Sequence, residues 1–138
     1  MKEVLLVEDN PADVYLIQRA VADCGSDIHL SVLPDGVEAL AFLRKEAPFA
    51  QVATPALILL DLNLPKVSGQ EVLTALRRLP AFHATPVVVF SSADKGATEA
   101  LCLYLGATAY VQKPLSFDAF CEAIAAIVNR WLLPSRAH

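Results

Sequence analysis

Ala56-Leu57-Ile58-Leu59-Leu60-Asp61 is an apolar run closed by one carboxylate, and its reading decides the fold. A continuous apolar run of that length predicts a strand buried on both faces, as in parallel α/β sheets. Its terminal charge then emerges at the carboxyl end of the strand, where such sheets place their ligands. Leu62-Asn63-Leu64-Pro65 follows at once. The earlier run Val4-Leu5-Leu6-Val7 ends the same way, on Glu8-Asp9. Two strands thus deliver the carboxylates of Glu8, Asp9 and Asp61 to one rim, a set suited to a hard cation and a reactive anion.

Outward from this pair the same two element types alternate. Strands are predicted at residues 3–7, 28–33, 56–60, 87–91 and 109–112. After Asn10-Pro11, a cap followed by a first-turn proline, Val14, Ile17, Val21 and Cys24 recur at helical spacing. Further helices are predicted over 37–45, over 68–78 with Val72, Leu73, Leu76 and Leu79 on one stripe, and over 95–105, ended by Gly106. A fifth begins at Ser116 and is expected to bury Phe117, Phe120, Ile124, Ile127, Val128 and Trp131. Repeated βα units with right-handed crossovers give a doubly wound parallel sheet covered by helices on both faces. Residues 46–55, with two prolines, read as a long surface loop, and residues 134–138 as a frayed tail.

The chain's 138 residues suit one domain, and a net charge of −4 without a Lys/Arg cluster argues against direct nucleic-acid binding. No apolar run reaches the ~20 residues of a membrane helix, and the start Met-Lys-Glu-Val lacks a signal-peptide layout. Cys24, Cys102 and Cys121 are odd in number, widely spaced and set among apolar residues. They read as reduced thiols of a cytoplasmic protein.

Five signals fall at strand ends in a fixed order: Glu8-Asp9, Asp61, Asn63 two residues on, Ser91-Ser92, and Lys113-Pro114. This constellation resembles the receiver domain of bacterial response regulators over nearly the whole chain, giving a receiver domain at 1–133. The resemblance implies a flavodoxin-like fold with five helices and strand order 2-1-3-4-5. It implies that Asp61 accepts a phosphoryl group from a sensor histidine kinase and later loses it to water. The chain would then be a signalling phosphoacceptor that catalyses only its own phosphorylation and dephosphorylation. Mg²⁺, or alternatively Mn²⁺, would be held by Asp9 and Asp61, by Glu8 through water, and by the backbone carbonyl of Asn63. Ser91 and Lys113 would bind phosphoryl oxygens, and a cis Lys113-Pro114 bond would aim the lysine. Tyr110 resembles the aromatic switch that moves with Ser91, and Gly69 the glycine of the loop leaving Asp61.

Glu-Asp-Asn-Pro-Ala-Asp, the Leu-Leu-Asp-Leu-Asn-Leu-Pro core and the ending Trp131-Leu132-Leu133-Pro134 resemble stand-alone regulators associated with phytochromes. A histidine phosphotransfer protein is a second partner that the resemblance admits, with the chain as a phosphorelay intermediate. Leu101, Leu103 and Tyr104 make the fourth helix apolar on more than one face. They suggest a homodimer through the fourth helix, fifth strand and fifth helix, or a kinase-docking surface. A haloacid-dehalogenase-type phosphatase would need its nucleophile after the first strand and a substrate cap. A flavodoxin-like nucleotide carrier would need a Gly/Ser/Thr-rich loop where acidic Glu8-Asp9 stands. A degenerate receiver would lack signature residues that this chain has.

Overall fold

The computed structural model describes residues 1–132; the expected frayed tail at 134–138 lies outside them. The strands are β1 Lys2–Val7, β2 Ile28–Leu33, β3 Leu57–Leu60, β4 Val87–Ser91 and β5 Ala109–Gln112. The helices are α1 Pro11–Cys24, α2 Gly36–Leu43, α3 Gly69–Arg77, α4 Ala97–Tyr104 and α5 Phe117–Trp131, with a 3-10 turn at Pro80–Phe82. All strand pairs are parallel, in order β2-β1-β3-β4-β5. Every residue of β3 and β4 is buried, whereas the edge strands β2 and β5 are mostly half-buried. Continuous apolar runs therefore sit where both sheet faces are covered.

Strand alternation sorts the core into two layers. Val4, Leu6, Leu57, Leu59, Val88 and Phe90 pack with Ile17 and Val21 of α1 and Phe120, Ile124 and Val128 of α5. Leu5, Val7, Ile58, Leu60, Val87 and Val89 pack on the other face with Phe42 of α2, Leu73 and Leu76 of α3, and Cys102 of α4. Helix starts follow the capping rules. Asn10, Asp35, Ser68 and Ser116 each accept backbone N–H bonds from the first turn they precede.

One expectation of burial fails. Phe117 is 63% exposed, although its spacing places it on the apolar stripe of α5. As the first helical residue after the Ser116 cap, it instead lines a cavity of about 300 Å³ with Pro114 and Leu115. The loop over 46–55 is irregular as expected, but Phe49 and Val52 pack onto the α2–α3 side of the core.

Candidate phosphoacceptor and metal site

A cleft of about 410 Å³ opens at the carboxyl rim, lined by Glu8, Asp9, Asp13, Asp61, Asn63 and Lys113 among others. Register brings the acidic groups together. The backbone N–H of Asp61 donates to Val7 O at 3.0 Å, and that of Glu8 to Leu33 O at 3.0 Å. Ligand oxygens of Glu8, Asp9 and Asp61 all lie within 4.8 Å of one another, with Glu8 and Asp61 buried and Asp9 exposed. An all-oxygen carboxylate set of this size fits a hard divalent cation. Asn63 stands at the rim, and among the described residues no backbone N–H donates to its carbonyl.

Gly69 is required by this geometry. A Cβ there would lie 2.3 Å from Asp61 O and 2.6 Å from Leu62 Cα, so α3 starts directly against the acidic strand end. The Leu62 N–H donates to Asp61 Oδ1 at 2.8 Å, which fixes the carboxylate. Oδ2 faces the Lys113 ammonium across 3.7 Å, beyond hydrogen-bond length.

Lys113 is nearly buried and donates to Glu8 Oε1 at 2.7 Å and to Asp13 Oδ2 at 2.8 Å. Strand parity explains the meeting: Lys113 continues the Ala109 and Val111 face of β5, and Glu8 the Val4 and Leu6 face of β1, both toward α1 and α5. Burial pushes the Glu8 carboxyl up to about 7; the Lys113 hydrogen bond opposes this and the Asp61 charge adds to it. Burial lowers the Lys113 pKa, but the bonds to Asp13 and Glu8 outweigh it and the net direction is up.

The expected cis Lys113-Pro114 bond is corrected. Among the described residues the cis peptide is Ala47–Pro48, so Lys113-Pro114 is trans, the preferred isomer by about 0.5–1 kcal/mol. The lysine is aimed by the ladder, through its own N–H bond to Ser91 O at 2.7 Å, and by the parity of β5.

Ser91 is fully buried and belongs to the other sheet face, with Val87 and Val89; Ser92 lines the cleft instead. The Ser91 hydroxyl accepts from Ala93 N–H at 3.2 Å. Tyr110, also on that face and 5% exposed, donates its hydroxyl to Ala93 O. Burial raises the Tyr110 pKa, and the proximity of the Ser91 hydroxyl opposes this. Ser91 and Tyr110 therefore form a contiguous pair beneath α4, behind the acidic cleft. On α4 itself Leu101, Leu103 and Tyr104 are exposed and Cys102 is buried.

Sequence reading gave no role to Asp13, although it stands four residues past Asp9 in the first turn of a helix leaving the rim. Arg77 likewise carries no signal in the sequence. It donates to Gly106 O and Phe82 O at 2.7 Å, to Thr85 O at 3.1 Å and to Thr108 Oγ1 at 3.3 Å.

The described residues contain no helix long and apolar enough to cross a membrane. The family model of the response regulator receiver domain matches residues 4–125. Response regulator Rcp1 of Synechocystis sp. is 34% identical over 131 residues, which cover 95% of this chain and 89% of Rcp1. The Mn²⁺-bound structure of Rcp1 superposes with a TM-score of 0.90, covering 98% of this chain and 100% of that one. The phosphorylated cyanobacterial phytochrome response regulator RcpA, 38% identical, also gives a TM-score of 0.90, over 95% of this chain and 94% of its own. The acidic cleft, the strand order and these matches agree: the chain belongs to the response regulator receiver domain family.

Proposed function

We propose that Asp61 is the phosphoacceptor of this response regulator and that its donor is a sensor histidine kinase of the phytochrome type. The observation that carries the assignment is the Asp61 carboxylate, buried at the end of β3, clustered with those of Glu8 and Asp9 and 3.7 Å from the Lys113 ammonium. An oxygen of Asp61 attacks phosphorus, the P–N bond of the donor phosphohistidine breaks, and its electron pair leaves with the imidazole. Asp9 and Asp61, with Glu8 in an outer role and the Asn63 carbonyl, would hold Mg²⁺ or Mn²⁺. A divalent ion there offsets the repulsion between the anions that meet in this step. Lys113 supplies a mobile ammonium for a phosphoryl oxygen, and Ser91 a hydroxyl that must turn from Ala93 toward the cleft.

Similarity to Rcp1 and RcpA supports the phytochrome-type donor, and a histidine phosphotransfer protein is a second acceptor or donor for the same chemistry. A cytoplasmic site of action fits the free thiols of Cys24, Cys102 and Cys121. With Mg²⁺, a small-molecule phosphodonor is expected to add one phosphoryl group to the wild type and none to Asp61→Asn. Labelling of that variant to the wild-type level would remove the assignment.

Output is proposed to run from Ser91 through Tyr110 to α4, whose exposed Leu101, Leu103 and Tyr104 offer an apolar patch for a twofold homodimer. Sedimentation is expected to show a dimer that Leu103→Glu weakens at least tenfold. A wild type that stays monomeric at tens of micromolar, with and without a phosphoryl mimic, would assign the patch to the kinase.

A further inference from the structure

Lys113 is held away from the group it is expected to serve. Its ammonium has three N–H donors, and two are committed, to Glu8 Oε1 at 2.7 Å and Asp13 Oδ2 at 2.8 Å. Asp61 Oδ2 is at 3.7 Å. Asp13 is not needed to cap α1, because Asn10 Oδ1 already accepts the N–H groups of Ala12 and Asp13. Its carboxylate leaves the helix end and reaches across to a residue 100 positions away.

The two anchors differ in kind. Glu8 is buried, and its second oxygen is fixed by the Asn10 N–H at 3.2 Å. Asp13 is 21% exposed in its side chain, so water can replace the ammonium when that bond opens. The Asp13 bond is therefore the less costly one to exchange.

We propose that Asp13 is a positioning residue that competes with the phosphoryl group on Asp61 for the Lys113 ammonium. The proposal rests on Asp61 as the phosphoacceptor. In the resting protein Asp13 and Glu8 hold the lysine 3.7 Å from Asp61; in the phosphorylated protein the ammonium moves toward the phosphoryl oxygens and the Asp13 bond opens. Asp13 thereby lowers the affinity of the site for a phosphoryl group and biases the chain toward its resting state.

A double-mutant cycle tests this at saturating Mg²⁺, with trifluoroberyllate as the phosphoryl mimic and affinity read by calorimetry or ¹⁹F NMR. Asp13→Asn is expected to tighten binding three- to tenfold in the wild-type background and less than twofold in a Lys113→Met background. Asp13→Glu, which keeps the carboxylate, is expected to return affinity toward wild type. Equal tightening in both backgrounds would make Asp13 a bulk charge and overturn the proposal, as would unchanged or weaker binding. A wild type that binds no trifluoroberyllate would instead remove the phosphoacceptor reading, and the competition with it. Folding of each variant is checked by its thermal transition, and Asp13→Ser replaces any Asp13→Asn protein that fails to fold.

Discussion

Two cations reach into this sheet from opposite ends, and the oxygens around them differ. At the carboxyl rim Lys113 is surrounded by the carboxylates of Glu8, Asp13 and, more distantly, Asp61. At the amino ends of β4 and β5, Arg77 lies among neutral acceptors: the carbonyls of Gly106, Phe82 and Thr85 and the hydroxyl of Thr108. A planar guanidinium with its donors spread over several fixed carbonyls is a staple, joining α3 to the chain entering β4 and β5. A compact ammonium shared between carboxylates is a mobile charge, since any incoming anion can take one of its bonds. Fixed neutral partners give stability, and exchangeable charged partners give a switchable site.

Paired substitutions can break that contrast. Arg77→Ala is expected to cost about 2–4 kcal/mol in urea unfolding, because part-buried carbonyls lose their donors together. Its folded fraction should still take up a phosphoryl group at Asp61 within about twofold of wild type. Lys113→Met in metal-free protein at pH 8 is expected to cost less, about 1–2 kcal/mol, since Glu8 can respond by keeping a proton. Phosphoryl retention should weaken at least tenfold in that variant while binding stays measurable. If Arg77→Ala proved the milder change, or if it weakened phosphoryl retention as Lys113→Met should, the division into staple and switch would be wrong.

The two cations were not equally legible. Lys113 is legible because it follows a strand end, where a parallel sheet gathers its ligands, and because Lys113-Pro114 completes the receiver-like order of signals. Asp9 and Asp61 were found for the same reason. Arg77 and Arg78 are adjacent, and both read as ordinary basic residues in the last turn of a helix. Which one turns inward depends on helix phase and on Gly106, where a Cβ would lie 2.6 Å from Arg77 Cγ. That fit is between segments about thirty residues apart, and no local pattern encodes it. Asp13 was hidden differently: an acidic residue in a first turn has an ordinary reading as a partner of the helix dipole. The exposure of Phe117 and the trans Lys113-Pro114 bond are not legible because helical spacing and motif likeness describe an element's interior better than its ends and the turns between elements.

The smallest expected effect sharpens the comparison through pH. Glu8 titrates near 7 in the folded protein against an ordinary value of 4.5, mainly because it is buried, with Lys113 opposing and Asp61 adding. The folded state therefore holds this proton more tightly than the unfolded chain does. The resulting stabilisation is complete below about pH 4.5 and is lost as pH rises through about 7. With the Lys113 interaction already contained in that value, the loss between pH 5 and 8 in metal-free protein is on the order of 2 kcal/mol. The raised pKa of Lys113 acts only above its ordinary 10.5, outside this window. Arg77 contributes no slope here either, although burial lowers its pKa. Urea unfolding in EDTA at pH 5.5, 6.5, 7.5 and 8.5 reads the slope, which Glu8→Gln should flatten and Arg77→Lys should leave unchanged. Saturating Mg²⁺ should flatten or reverse the wild-type slope, because metal binding and proton binding compete for the same carboxylates. A slope that survives Glu8→Gln would move the titration to another group and leave the carboxyl rim no more pH-responsive, through Glu8, than the Arg77 end.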